Sequence, residues 1–87
     1  MNYYQKDKKI QEALFEFQAE LQKAEYKHPD FPDDLIHQLS VMVEEAGEAV
    51  QAANQYIYEG GEFENVKKEL IQTGAMCLRC LINLKGG

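Results

Sequence analysis

The only two prolines of the chain, Pro29 and Pro32, lie in one short cluster, His28-Pro29-Asp30-Phe31-Pro32-Asp33. A second break, Glu59-Gly60-Gly61-Glu62, follows about a helix length later. Proline blocks helix and strand interiors, and paired glycines favour turns. The chain is therefore cut into three long segments without proline and with few β-branched runs, a pattern that predicts three helices.

The first segment, from about Tyr4 to Lys27, repeats Ile10, Ala13, Leu14, Phe17, Leu21 and Ala24 at spacings of three and four. Phe15 falls off that stripe and is read as a contact for another subunit. The second, from about Asp34 to Tyr58, starts after Pro32 with Asp33 as the expected N-cap. It carries Leu35, Leu39, Met42, Val43, Ala46, Val50, Ala53 and Ile57, widened by Ala49 and Ala52, and is expected to be the central helix. The third runs from about Phe63 to Leu84, with Val66, Leu70, Ala75, Cys77, Leu78, Leu81 and Ile82 as its apolar side and Gly86-Gly87 as its stop. Short loops predict antiparallel neighbours.

Composition narrows the function classes. The 87 residues make one small domain over residues 1–87, whose own core is marginal and favours oligomerisation. A formal charge of -6 argues against a nucleic-acid groove binder. No apolar run is long enough to cross a bilayer, and no h-region follows the N-terminus, so no membrane partner is expected. Cys77 and Cys80 have no second pair to complete a zinc site and read as reduced packing thiols of a cytoplasmic protein.

One stretch is out of place in a plain helical bundle: Val41-Met42-Val43-Glu44-Glu45-Ala46-Gly47-Glu48-Ala49-Val50. Three carboxylates interrupt the most apolar segment. At about 100° per residue, Glu44, Glu48 and Glu45 fall within one third of the helix circumference. Two like charges about 4 Å apart cost about 4 kcal/mol at an effective dielectric near 20, against about 1 in water. A hard divalent cation would compensate them. The third segment offers the complement, a polar stripe of Asn65, Glu69, Gln72, Met76, Arg79 and Asn83. Antiparallel packing of helices two and three would set Glu45 and Glu48 opposite Glu69 and Gln72, an oxygen-rich site suited to Mg²⁺. The plain alternative is a solvated acidic face. Gly47 and Gly74 lower helix propensity and leave room for close backbone approach or a ligand.

Glu44-Glu45-x-x-Glu48, then Glu69-x-x-Gln72, resembles the signature of the MazG-like all-α nucleoside triphosphate pyrophosphatases. The segment Lys27-His28-Pro29-Asp30-Phe31-Pro32 and the ending Ala75-Met76-Cys77-Leu78-Arg79 are similar to small members as well. The likeness covers about residues 18 to 84. It implies an all-α, three-helix antiparallel protomer that completes a four-helix-type bundle by forming a homodimer or homotetramer. It implies hydrolysis of a (d)NTP to the monophosphate and pyrophosphate with Mg²⁺, for which Mn²⁺ could substitute. Glu45, Glu48 and Glu69 would be metal ligands, and Glu44 an accessory carboxylate, with either Glu44 or Glu48 as base. Gln72 stands where the commoner pattern has Asp; its amide oxygen can ligate but brings no charge. Gln72 therefore supports a second reading, a non-catalytic nucleotide-binding or regulatory assembly module.

Arg79 is read as a phosphate contact, with a salt bridge as the plain alternative. Lys67 and Lys68 are expected to point away into solvent. Glu25-x-x-His28 resembles half of a di-iron motif, but Asp34-x-x-His37 at a helix start is a poor second half, and His28 is read as a capping or loop residue. Tyr26, Phe31 and Tyr56 are read as packing near the loops in preference to stacking on a base.

Overall fold

The computed structural model describes residues 1–85, and the Gly86-Gly87 stop lies outside them. Within the described residues the chain is all-helical: α1 spans Tyr3–Lys27, α2 Leu35–Tyr58 and α3 Phe63–Ile82. The breaker clusters form the two connections, as the sequence implies. No helix is long and apolar enough to cross a membrane among the described residues.

Local chemistry sets the ends. Asn2 caps α1, its side chain accepting from Gln5 N–H at 2.8 Å while the Gln5 side chain accepts from Asn2 N–H. Asp34, not Asp33, caps α2 by accepting from His37 N–H at 2.9 Å. Asp33 instead pairs with Lys85 at 2.6 Å on the surface, which holds its carboxyl below the usual range. Gly60 adopts a positive φ of 74°, a region closed to most side chains, and Gly61 N–H returns to the Gln55 carbonyl. α3 ends at Ile82, two residues before the expected Leu84.

The central helix is α3, not α2. α3 packs against both other helices, whereas α1 and α2 do not pack on each other. Small residues on α3 explain this. Any Cβ at Gly74 would run into the ring of Phe17 on α1, so this glycine permits close approach. α2 lies antiparallel to α3: its first turn meets the end of α3 through Gln38 and Cys80, and Tyr56 meets Phe63 at 5.2 Å between ring centroids. α1 meets α3 through its C-terminal half, where Phe17, Glu20, Leu21 and Ala24 are withdrawn from solvent. Residues 1–16 are all exposed, including Ile10 and Leu14 of the expected stripe, and so is Phe15.

The packed faces are polar, and on α3 they follow the expected stripe. α2 turns Gln38, Met42, Glu45, Ala49 and Ala52 inward, and α3 turns Glu69, Gln72, Met76 and Arg79 inward, followed by its C-cap Asn83. Among the described residues the buried apolar ones are Ala52, Ala75 and Cys80. The apolar residues Leu70, Leu81 and Ile82 of α3 face outward, as does Cys77. The sequence expectation that these four form the inner side of α3 is thus reversed. Cys80 is free and packed, and burial, with Cys77 nearby, pushes its thiol up.

Candidate metal centre

Glu45 sits in the middle of the inward stripe of α2, where helical spacing carries it toward α3. Glu48 follows one turn later at the edge of the interface. Glu69 comes from the inward stripe of α3. One carboxylate oxygen from each of the three lies within 4.8 Å of the others. Glu45 and Glu69 are half-buried and Glu48 is exposed.

The charges are under-compensated. Glu45 Oε2 and Glu69 Oε2 are both buried without a hydrogen-bond partner. Burial pushes the Glu45 carboxyl up, and the charges of Glu48, Glu69, Glu44 and Glu20 push it further. Burial also raises Glu69, as does the nearby Glu48 carboxylate, against a weaker opposing effect from Lys68. Buried carboxylate oxygens that lack donors and repel one another are the setting in which a hard cation gains most. The donor set, oxygen-only and trianionic, suits a hard divalent cation.

Glu44 is exposed and lies outside the triad, acting on Glu45 through its charge. Gln72 is half-buried and shares a cleft of about 420 Å³ with Glu45. The rest of that cleft was not foreseen. α1 supplies Glu20, Lys23, Lys27 and His28, and α3 supplies Lys68. Lys68 is exposed, as expected, yet it borders the cleft instead of pointing away from it. Lys23 and Lys27 share a face at i,i+4, which was the available signal, but such spacing also describes any solvated helix surface. On the other side of the triad, Glu48 and Glu69 open to a smaller cleft of about 340 Å³ with Gln51, Gln55 and Asn65.

Arg79 lies elsewhere. It is ten residues beyond Glu69, about 15 Å along the helix. Its guanidinium is buried, donates to the His28 carbonyl, and stacks 4.7 Å from the centroid of the Phe31 ring. These contacts hold the α1–α2 loop onto α3. His28 serves as the C-cap of α1, its N–H bonded to the Ala24 carbonyl at 2.8 Å. Tyr26 is exposed and Tyr56 packs on Phe63.

No protein-family model matches the chain, and neither the curated proteins nor the solved structures contain a significant match to it.

Proposed function

We propose that the chain is a Mg²⁺-dependent nucleoside triphosphate pyrophosphohydrolase that converts a (d)NTP and water to a (d)NMP and pyrophosphate. The observation that carries this reading is the Glu45–Glu48–Glu69 triad, with two buried unpartnered oxygens, beside a cleft edged by three lysines. Glu45, Glu48 and Glu69 would hold the ion, with Gln72 offering a neutral oxygen at the cleft wall. When bound, the ion neutralises phosphate charge and makes water more acidic.

The chain's own groups account for the rest. Lys23, Lys27 and Lys68 present ammonium groups to an anionic polyphosphate, which an acidic protein would otherwise repel. Glu44 or Glu48, both exposed next to the triad, takes the proton from water attacking in line at the α-phosphorus as pyrophosphate leaves. The reading places the protein in the cytoplasm as a homo-oligomer, with metal and nucleotide as its small-molecule partners.

The test is a panel of NTPs and dNTPs assayed for pyrophosphate with Mg²⁺ or Mn²⁺. Release that disappears in Glu45→Gln and Glu48→Gln, with helicity retained, supports the enzyme. Gln72 favours a second reading, a non-catalytic nucleotide-binding module, because it removes one negative charge from the oxygen set. Mg²⁺-dependent nucleotide binding without release selects that reading, and no response to metal or nucleotide sinks both.

A further inference from the structure

The outer face of α2 carries a feature that its own chain does not use. Ile36, Val43, Val50 and Ile57 recur at a strict interval of seven, and all four are exposed, by 69%, 60%, 62% and 68%. Ser40, Gly47 and Asn54 fill the intervening positions and are exposed as well. The stripe runs the length of the helix without a charge. Glu44 and Glu48 lie about 80° and about 120° around the helix from its midline. A seven-residue repeat with β-branched residues is the pattern by which one helix packs along another.

Gly47 sits at the middle of this stripe. A Cβ built there meets nothing within 4 Å. Glycine in an exposed helix interior lowers helix propensity, and nothing in the protomer requires it. Gly74, by contrast, is required by Phe17. Gly47 is explained if another helix backbone approaches at that point.

The areas are those of a chain that packs on a second copy. A folded monomer of 10.0 kDa is expected to expose about 5,200 Å², whereas this chain exposes 6815 Å². The excess, about 1,600 Å², is shared between this stripe and the exposed residues 1–16 of α1, and it lies within the roughly 1,000–2,500 Å² per partner that obligate homodimers bury. The radius of gyration, 14.7 Å, likewise exceeds the roughly 12 Å of a compact domain this long. An uncharged, self-complementary stripe with its small residue at the centre suits an isologous contact.

We infer that α2 packs through this stripe against the same stripe of a second copy of the chain, the two helices crossing at Gly47 on a two-fold axis. The surface rests on the homo-oligomer of the proposed function and not on its hydrolysis, and its test needs neither metal nor nucleotide, so hydrolysis and α2 contact can each fail alone.

The test is light scattering and sedimentation equilibrium of the full chain in metal-free buffer, alongside Gly47→Leu, Val50→Glu and the control Phe15→Ser. The wild type is expected at twice the chain mass, or a higher even multiple, at micromolar concentration. Gly47→Leu should weaken association at least about tenfold with unchanged helical circular dichroism, because the added side chain meets nothing in its own protomer. Phe15→Ser should leave the contact between α2 helices, and hence at least the dimer, in place. If Val50→Glu does not fold, Gly47→Leu decides. A wild type that stays at single-chain mass at about 100 μM overturns the inference. So does association that Gly47→Leu leaves unchanged, or a dimer that only Phe15→Ser dissociates.

Discussion

Glu45 of α2 and Glu69 of α3 face each other across the main helix interface, and each buries one carboxylate oxygen that no donor satisfies. Such a pair weakens the fold unless a proton or a cation joins it. Removing one of the charges should therefore help the metal-free protein. Glu45→Gln is expected to raise the melting temperature in chelator-containing buffer. Relief of about 0.5 kcal/mol would give roughly 2–4 °C in a chain of this size. The same variant should lose the melting response to Mg²⁺ and release no pyrophosphate. A large drop in melting temperature would show instead that Glu45 supports the fold.

The pH dependence has a defined sign. Glu45 and Glu69 both have folded values raised above the ordinary 4.5. Their protonated forms are favoured in the folded state, so their contribution is fully present below the unfolded value and lost as pH rises through the folded one. Without metal, melting temperature should rise as pH is lowered from 7 toward about 4.5. The exposed Asp33–Lys85 pair acts in the opposite sense, at lower pH and weakly. Saturating Mg²⁺ should lift the neutral end of the curve and leave the acidic end unmoved. A metal-free profile that falls steadily on acidification would contradict the buried repulsion.

Lys23 and Lys27 lie on the cleft wall beside Glu45. The double substitution Lys23→Gln, Lys27→Gln should weaken triphosphate binding about tenfold or more, because two charge-assisted contacts are removed. It should leave the Mg²⁺ titration unweakened, since the triad is untouched. It should also flatten the salt dependence of nucleotide affinity, measured by calorimetry at several ionic strengths. Unchanged nucleotide affinity would place the polyphosphate elsewhere, with the smaller cleft by Gln51, Gln55 and Asn65 as the remaining opening on the triad.

Much of this was legible in the chain. The breakers at Pro29, Pro32 and Gly60-Gly61 delimit the helices, and the spacing of Glu45, Glu48 and Glu69 brings them together once α2 and α3 pack antiparallel. The direction in which the faces turn was not legible. Val43 and Val50 read as core because hydrophobicity alone does not say whether a stripe meets its own chain or another. Gln38 carried no periodic signal and Arg79 read as a phosphate contact, yet both are buried, because backbone carbonyls of Pro32 and His28 receive their donors. Such contacts join residues far apart in sequence and leave no periodic signal. The lysines of α1 were hidden for a related reason: membership of a cleft depends on the crossing of α1 over α3, which Gly74 sets by admitting Phe17.

Gln72 supplies a sensitive probe of the cleft. It is half-buried and on the same wall as Glu45. Gln72→Asp shortens the side chain and adds a fourth negative charge near the triad. In metal-free buffer this should lower the melting temperature through added repulsion, and it should tighten Mg²⁺ binding by several-fold. A Mg²⁺ titration followed by melting temperature reads both effects on one sample. An unchanged titration midpoint would mean that position 72 does not contribute to the ion site.

Arg79 separates a structural from a substrate-binding role. Its guanidinium holds the His28 carbonyl and the face of Phe31, and it is almost wholly buried. Arg79→Ala would leave that carbonyl without its donor, remove the cation–π contact and open a cavity. A loss of about 2–4 kcal/mol is expected, read as a lower denaturant midpoint. Arg79→Lys keeps the charge but not the planar stacking and should lose about half as much. In whatever fraction remains folded, nucleotide affinity should match the wild type, because Arg79 sits about 15 Å along α3 from Glu69. If Arg79→Lys instead kept full stability and weakened triphosphate binding, the guanidinium would have to leave the loop to meet substrate, and the loop clasp would be a resting state of the site.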